Sequence, residues 1–161
     1  MDTSQRDTSG FVAYRGNLQR DHSFAPGDGG PRAGVGWFEQ HTPDFRPLWV
    51  AERDGHIAGW LSFSTFYGRP AYNKTAELSV YVGEAFRHRG LGSYFLAQAI
   101  AHAPAIAVDR LIGFVYGHNH PSLELFARFG FVKWGDLPGV TLLDDIERDV
   151  IILGRRVVNP A

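Results

Sequence analysis

The chain has 161 residues, 44% of them hydrophobic and 14% aromatic, enough for one domain (1–161) with a substantial core and too few for two ordinary ones. Sixteen Lys and Arg against seventeen Asp and Glu leave no basic excess for a phosphate backbone, so nucleic acid is not an expected partner. The lack of cysteine excludes a disulfide framework, a thiolate zinc site and a sulfur nucleophile. The polar start MDTSQRDTSG and the absence of a bilayer-length apolar run lead to the expectation of a soluble, cytoplasmic protein with no membrane partner.

Residues 1–36 are the least legible. Phe11 to Asp21 is a short candidate element, and Pro26 to Gly36 holds five glycines and two prolines, which disfavours regular structure. An aromatic patch, Trp37, Phe38 and His41, follows. Leu48 to Glu52 reads as a strand, Arg53-Asp54-Gly55 as a turn and Ile57 to Phe66 as a second strand, together a hairpin. After Gly68 and Pro70, Glu77 to Val82 is a third strand, so an antiparallel meander is expected. Leu91, Phe95 and Ala99 recur every four residues, with Tyr94 beside them, and predict an amphipathic helix over Leu91 to His102. Leu111 to Val115 is a buried-strand candidate. Pro121 to Phe129 reads as a second helix, with proline in its first turn and Gly130 to stop it. Phe131 to Trp134 and Val150 to Leu153 read as closing strands. The order implies an α+β or α/β fold with a mixed sheet.

Between the third strand and the first helix stands Arg87-His88-Arg89-Gly90-Leu91-Gly92. A glycine turn entering a helix leaves backbone donors unpaired where the helix dipole favours negative charge, which outlines a pyrophosphate site. Gly90 and Gly92 would let the backbone approach the phosphates, and Arg87 and Arg89 would add charge-assisted hydrogen bonds. A P-loop is excluded because no Gly-Lys-Ser/Thr follows, and a dinucleotide fingerprint because Phe95 stands where a third small residue is needed. A plain glycine turn flanked by solvated arginines is the remaining alternative.

Arg-x-x-Gly-x-Gly after a strand, followed by Asn119-His120-Pro121-Ser122 and Phe129-Gly130-Phe131, resembles the acetyl-CoA signature of the GNAT superfamily. Arg69-Pro70-Ala71-Tyr72, Thr75, Glu77 and Val80-Tyr81-Val82 are most similar to the phosphinothricin and methionine-sulfone acetyltransferases of that superfamily. The resemblance, over about Trp37 to Val157, implies a central, mostly antiparallel sheet with flanking helices. It implies that the backbone of Tyr81 and Val82 pairs with the pantetheine arm, that Arg87, His88, Arg89, Gly90, Leu91 and Gly92 hold the pyrophosphate, and that Asn119 and Ser122 contact the rest of the CoA. By the same resemblance Arg69 and Tyr72 bind a substrate carboxylate and Glu77 is, or orients a water as, the general base. A carboxylate suits that task, because the attacking amine arrives protonated at neutral pH.

Read singly, Arg69 is equally a solvated loop arginine, Tyr72 a core aromatic, Glu77 a strand carboxylate facing water and Asn119 only a helix cap. Phe126 occupies the position where relatives carry a tyrosine or histidine acid. A phenyl ring donates no proton, so the thiolate leaves unassisted or with another group such as Tyr116. His118 and His120 lack the companions a zinc site needs, so no metal is expected. The expected reaction is acetyl transfer from acetyl-CoA to the primary amine of a small amino-acid-like molecule, and the resemblance suggests a homodimer. Acetylation of a protein or polyamine amine and a catalytically weak CoA-binding sensor are the alternatives.

Overall fold

A computed structural model of the chain describes residues 3–6, 12–15, 41–42 and 44–157. Eight strands form one sheet: β1 (Thr3–Arg6), β2 (Val12–Arg15), β3 (Leu48–Arg53), β4 (His56–Thr65), β5 (Thr75–Val82), β6 (Arg110–Tyr116), β7 (Val132–Leu143) and β8 (Ile146–Arg156). Their spatial order is β1-β2-β3-β4-β5-β6-β8-β7. Every neighbouring pair is antiparallel except β5 and β6, so the sheet is mixed and mostly antiparallel, as the resemblance implied. Helices α1 (Leu91–His102) and α2 (His120–Arg128) connect the parallel pair and follow it.

Asp54 and Gly55 both take positive φ (51° and 78°), the twist a two-residue hairpin turn needs between β3 and β4. The expected meander is β3, β4 and β5. Alternation along β5 turns Ala76, Leu78, Val80 and Val82 to one face, where they join Leu91, Phe95, Leu96 and Ala99 of α1 in the main core. Glu77, Ser79 and Tyr81 therefore face the other side. A smaller apolar cluster, Leu48, Val50 and Trp60, belongs to that other face.

The closing strands are longer than the sequence reading. β7 and β8 form one hairpin of twelve and eleven residues, joined by Asp144 and Asp145 at φ 52° and 62°. Gly135, Pro138 and Gly139 broke the alternation that would have revealed β7, and the pairing shifts register at both places. β1 and β2 are regular backbone within the stretch read as illegible, β2 overlapping the candidate at Phe11 to Asp21. Pro26 to Gly36, Trp37 and Phe38 lie outside the described residues.

The parallel pairing of β5 with β6 lasts only from Thr75–Arg110 to Glu77–Ile112. Beyond Glu77 the two strands separate, so the sheet forks.

Candidate active site

The fork decides which backbone groups are open. Gly83 N donates to Ala58 O at 2.8 Å, and the β4–β5 register pairs Gly59 with Val82 and Trp60 with Tyr81. Antiparallel bonding alternates, so Tyr81 spends its N–H and C=O on Trp60 while Val80 and Val82 aim theirs away from β4, into the gap that β6 has left. Of the two residues named for the backbone pairing, Val82 thus turns its groups to the gap and Tyr81 does not, while Val80 shares the orientation of Val82. Tyr81 still reaches the site with its side chain, its ring stacked at 6.1 Å on Trp60.

α1 begins at the mouth of this gap. Its cap residue Gly90 has φ +82° and offers no side-chain acceptor, and Tyr94 N is bonded to Gly90 O, so the first-turn N–H groups of Leu91, Gly92 and Ser93 precede that first intrahelical bond. Together with the helix dipole they make an anion site. Arg87 stands at its edge, Nε donating at 3.4 Å to the Val82 carbonyl that is turned away from β4, and His88 is held at φ 62°. Gly90 needs its glycine for that φ. At Gly92 a Cβ would meet Leu125 Cδ2 of α2 at 2.9 Å, so the close approach of the two helices also favours a glycine there.

A cavity of about 710 Å³ collects these groups. Val80, Tyr81, Val82, Arg87, His88, Gly90, Leu91 and Gly92 line one side, and Asn119, Ser122, Leu125 and Arg128 of α2 the other. Arg89, in the same loop, is exposed and does not line it. Asn119 also caps α2, accepting from Ser122 N at 3.3 Å, so it has a structural task whatever else it does. Val80 and Val82 belong to the helix side of β5 and Tyr81 to the far side.

Glu77 is the last paired residue of β5 before the strands part, and it lies on the far side. Burial pushes its carboxyl above the ordinary glutamate value, because the charged form is poorly solvated there. Arg69 and Tyr72 do not reach the cavity. They sit in the turn that leads into β5, where the rings of Phe66, Tyr67 and Tyr72 cluster at 5.2 to 6.1 Å and the Arg69 guanidinium lies 5.8 Å over Tyr67. Arg69 is exposed and makes no ion pair among the described residues.

Phe126 is 3% exposed, edge-on to Phe131 at 4.9 Å and stacked over Gly113, and does not line the cavity. Tyr116, beside His118 at 5.6 Å, does not line it either. Neither is positioned to protonate a leaving group there. The sequence reading missed Val80, Leu125 and Arg128 as cavity residues. Strand parity could have found Val80, and the spacing Ser122, Leu125, Arg128 along one face of α2 could have found the others.

A gap lined by open strand amides and continued by an uncapped helix start accommodates an elongated ligand that carries both amides and phosphates. The chain belongs to the acetyltransferase (GNAT) family, whose model matches residues 13–131. It is 50% identical, over 79% of this chain and 78% of the relative, to a Bacillus subtilis protein provisionally named a phosphinothricin acetyltransferase. It is 30% identical, over 66% of this chain and 62% of the relative, to the L-amino acid N-acyltransferase of Escherichia coli. A solved structure, also provisionally named a phosphinothricin N-acetyltransferase, matches with a TM-score of 0.72 and 51% identity over 76% of this chain and 78% of that one.

Proposed function

We propose that the chain acetylates the α-amine of a small amino-acid-like acid of the phosphinothricin or methionine-sulfone type, using acetyl-CoA. The observation that carries this reading is the fork: Glu77 stands at its apex, on the side of the sheet opposite the helices, and the cavity that holds the anion site begins three residues further along β5, at Val80. When bound, acetyl-CoA supplies the thioester carbonyl. The residues present fit it: the N–H and C=O groups of Val80 and the N–H of Val82, all turned away from β4, for amides, Leu91 to Ser93 with Arg87 for phosphates, and Asn119 and Ser122 along the wall.

Each side chain then has a task its surroundings suit. Arg69, with Tyr72 beside it, holds the acceptor carboxylate by a charge-assisted pair. Glu77 takes the proton of the acceptor ammonium, and its raised pKa makes it a stronger base than a solvated carboxylate. The amine is thereby neutral and fixed in direction, and orientation contributes much of the rate. Phe126 contributes packing, so the thiolate departs without a proton from α2. Exposed apolar side chains on the last hairpin, among them Val132, Trp134, Leu137 and Val140, support the homodimer reading. The cysteine-free composition suits action in the cytosol as one domain.

The test is release of free thiol from acetyl-CoA with a panel of amino acids, their amides, polyamines and a peptide. Turnover with methionine sulfone or phosphinothricin and not with their amides is expected, and Arg69→Ala should reduce kcat/KM for the acid about tenfold, about 1.4 kcal/mol, while sparing the amide. Equal turnover of acid and amide would refute the carboxylate clamp.

A further inference from the structure

Arg46, just before β3, is 1% exposed, yet none of the carboxylates among the described residues pairs with it. Its guanidinium lies 4.1 Å over the Phe45 ring, Nη1 donates to Phe45 O at 2.9 Å, Nη2 donates to Asn73 O at 2.9 Å, and Nε has no partner. Burial draws its pKa down, a sign of how poorly the charge is solvated. A buried cation without a counter-ion is a poor way to stabilise a fold, since an apolar side chain of similar volume often does as well. What an apolar side chain cannot do is hold the Asn73 carbonyl, 27 residues away.

Asn73 is a strategic place to hold. Tyr72 N donates to Arg69 O at 2.9 Å and Asn73 N to Pro70 O at 3.2 Å, closing the turn that carries Arg69 and Tyr72. The next carbonyl, of Lys74, accepts from Asp109 N and Arg110 N at 3.0 and 3.2 Å. Thr75 then opens β5, and Glu77 follows two residues on. The junction between clamp and base is thus pinned from the β6 side by backbone and from the β3 side by one guanidinium.

We infer that Arg46 is a positioning residue that sets the spacing between the acceptor-carboxylate site at Arg69 and Tyr72 and the base Glu77. The inference rests on the acceptor reading proposed above. A planar fork can serve two carbonyls at once, which a lysine ammonium on a shorter reach does less well.

The test uses the full chain with Arg46→Met and Arg46→Lys, measuring KM for acetyl-CoA, KM for methionine sulfone and its amide, and amide hydrogen exchange across residues 69–75. In Arg46→Met the acceptor KM should rise tenfold or more, the preference for acid over amide should shrink, and exchange across 69–75 should quicken, while the KM for acetyl-CoA stays within twofold. Arg46→Lys should fall between, and it decides by the same criteria if Arg46→Met does not fold. An acceptor KM within twofold of the parent overturns the inference, whether or not exchange quickens, because Arg46 is then only a structural tie. Arg69→Ala measured alongside separates the two ideas: if it leaves the acid preference intact the acceptor reading fails, and unchanged exchange in Arg46→Met then overturns the brace independently.

Discussion

Phe126 and Gly113 form a contact whose energetics can be stated in advance. The ring is 3% exposed, and a Cβ added to Gly113 would stand 3.0 Å from its Cε1 and 3.4 Å from its Cζ. Phe126→Ala removes a buried ring and should cost about 3–5 kcal/mol. Gly113→Ala alone presses a methyl on that ring, an overpacking cost of about 1–3 kcal/mol, offset by up to about 1 kcal/mol because alanine is the better strand residue. With the ring gone the methyl enters vacated space, so Gly113→Ala in the Phe126→Ala background should be neutral or stabilising. Denaturant unfolding of the four proteins yields the coupling energy directly, about 1–3 kcal/mol and favourable to the double variant. Equal cost of Gly113→Ala in both backgrounds would show that the ring does not sit over Gly113. Kinetics complete the argument: Phe126→Leu should keep kcat within a few fold, and a hundredfold loss with acetyl-CoA binding intact would give the ring a chemical role that packing does not explain.

Gly90→Ala forces an alanine to φ near +82°, a cost of about 1–2 kcal/mol that the loop can relieve only by turning its amides, so calorimetry should find acetyl-CoA bound about tenfold more weakly. Gly92→Ala should be milder, since the methyl meets the movable end of Leu125; the reverse ranking would mean that the phosphate lies against Gly92 itself. For Glu77 the folded pKa lies above 4.5, so the stability it confers is present below the unfolded value and is lost as pH rises through the folded one. Glu77→Gln should therefore be as stable as the parent at acid pH and more stable at pH 7, yet have a much lower kcat without the acidic limb of the pH profile. Loss of stability at pH 7 would contradict the desolvation.

The elements that could be read from the sequence were those whose local signals agree. Asp54-Gly55 between two β-rich runs and the four-residue recurrence of Leu91, Phe95 and Ala99 state their structures within a dozen residues. β7 could not be read so, because Pro138 and the glycines beside it carry loop signals while register shifts, visible only against β8, keep the strand paired. At the site, Arg87 to Gly92 was legible because the motif is contiguous. That Val80 and not Tyr81 turns its backbone groups to the gap depends on which strand β5 bonds to on each edge, a fact of assembly. Arg46 has no signal at all: an arginine before a strand is ordinary until a carbonyl 27 residues away is found against it.

The fork also has a mechanical meaning. Strands β1 to β5 form one leaf and β6 to β8 another, and their backbones are joined by a ladder of three residue pairs and, just before it, by the Lys74 carbonyl. In the function proposed, a ligand lodged between the leaves with its amides bonded to Val80 and Val82 would act as a seam, lengthening the ladder that the chain leaves short. Occupancy and rigidity are then one variable: a ligand at a hundred times its Kd adds about 2.7 kcal/mol to the folded state by mass action, delivered at the line where the two leaves would otherwise part.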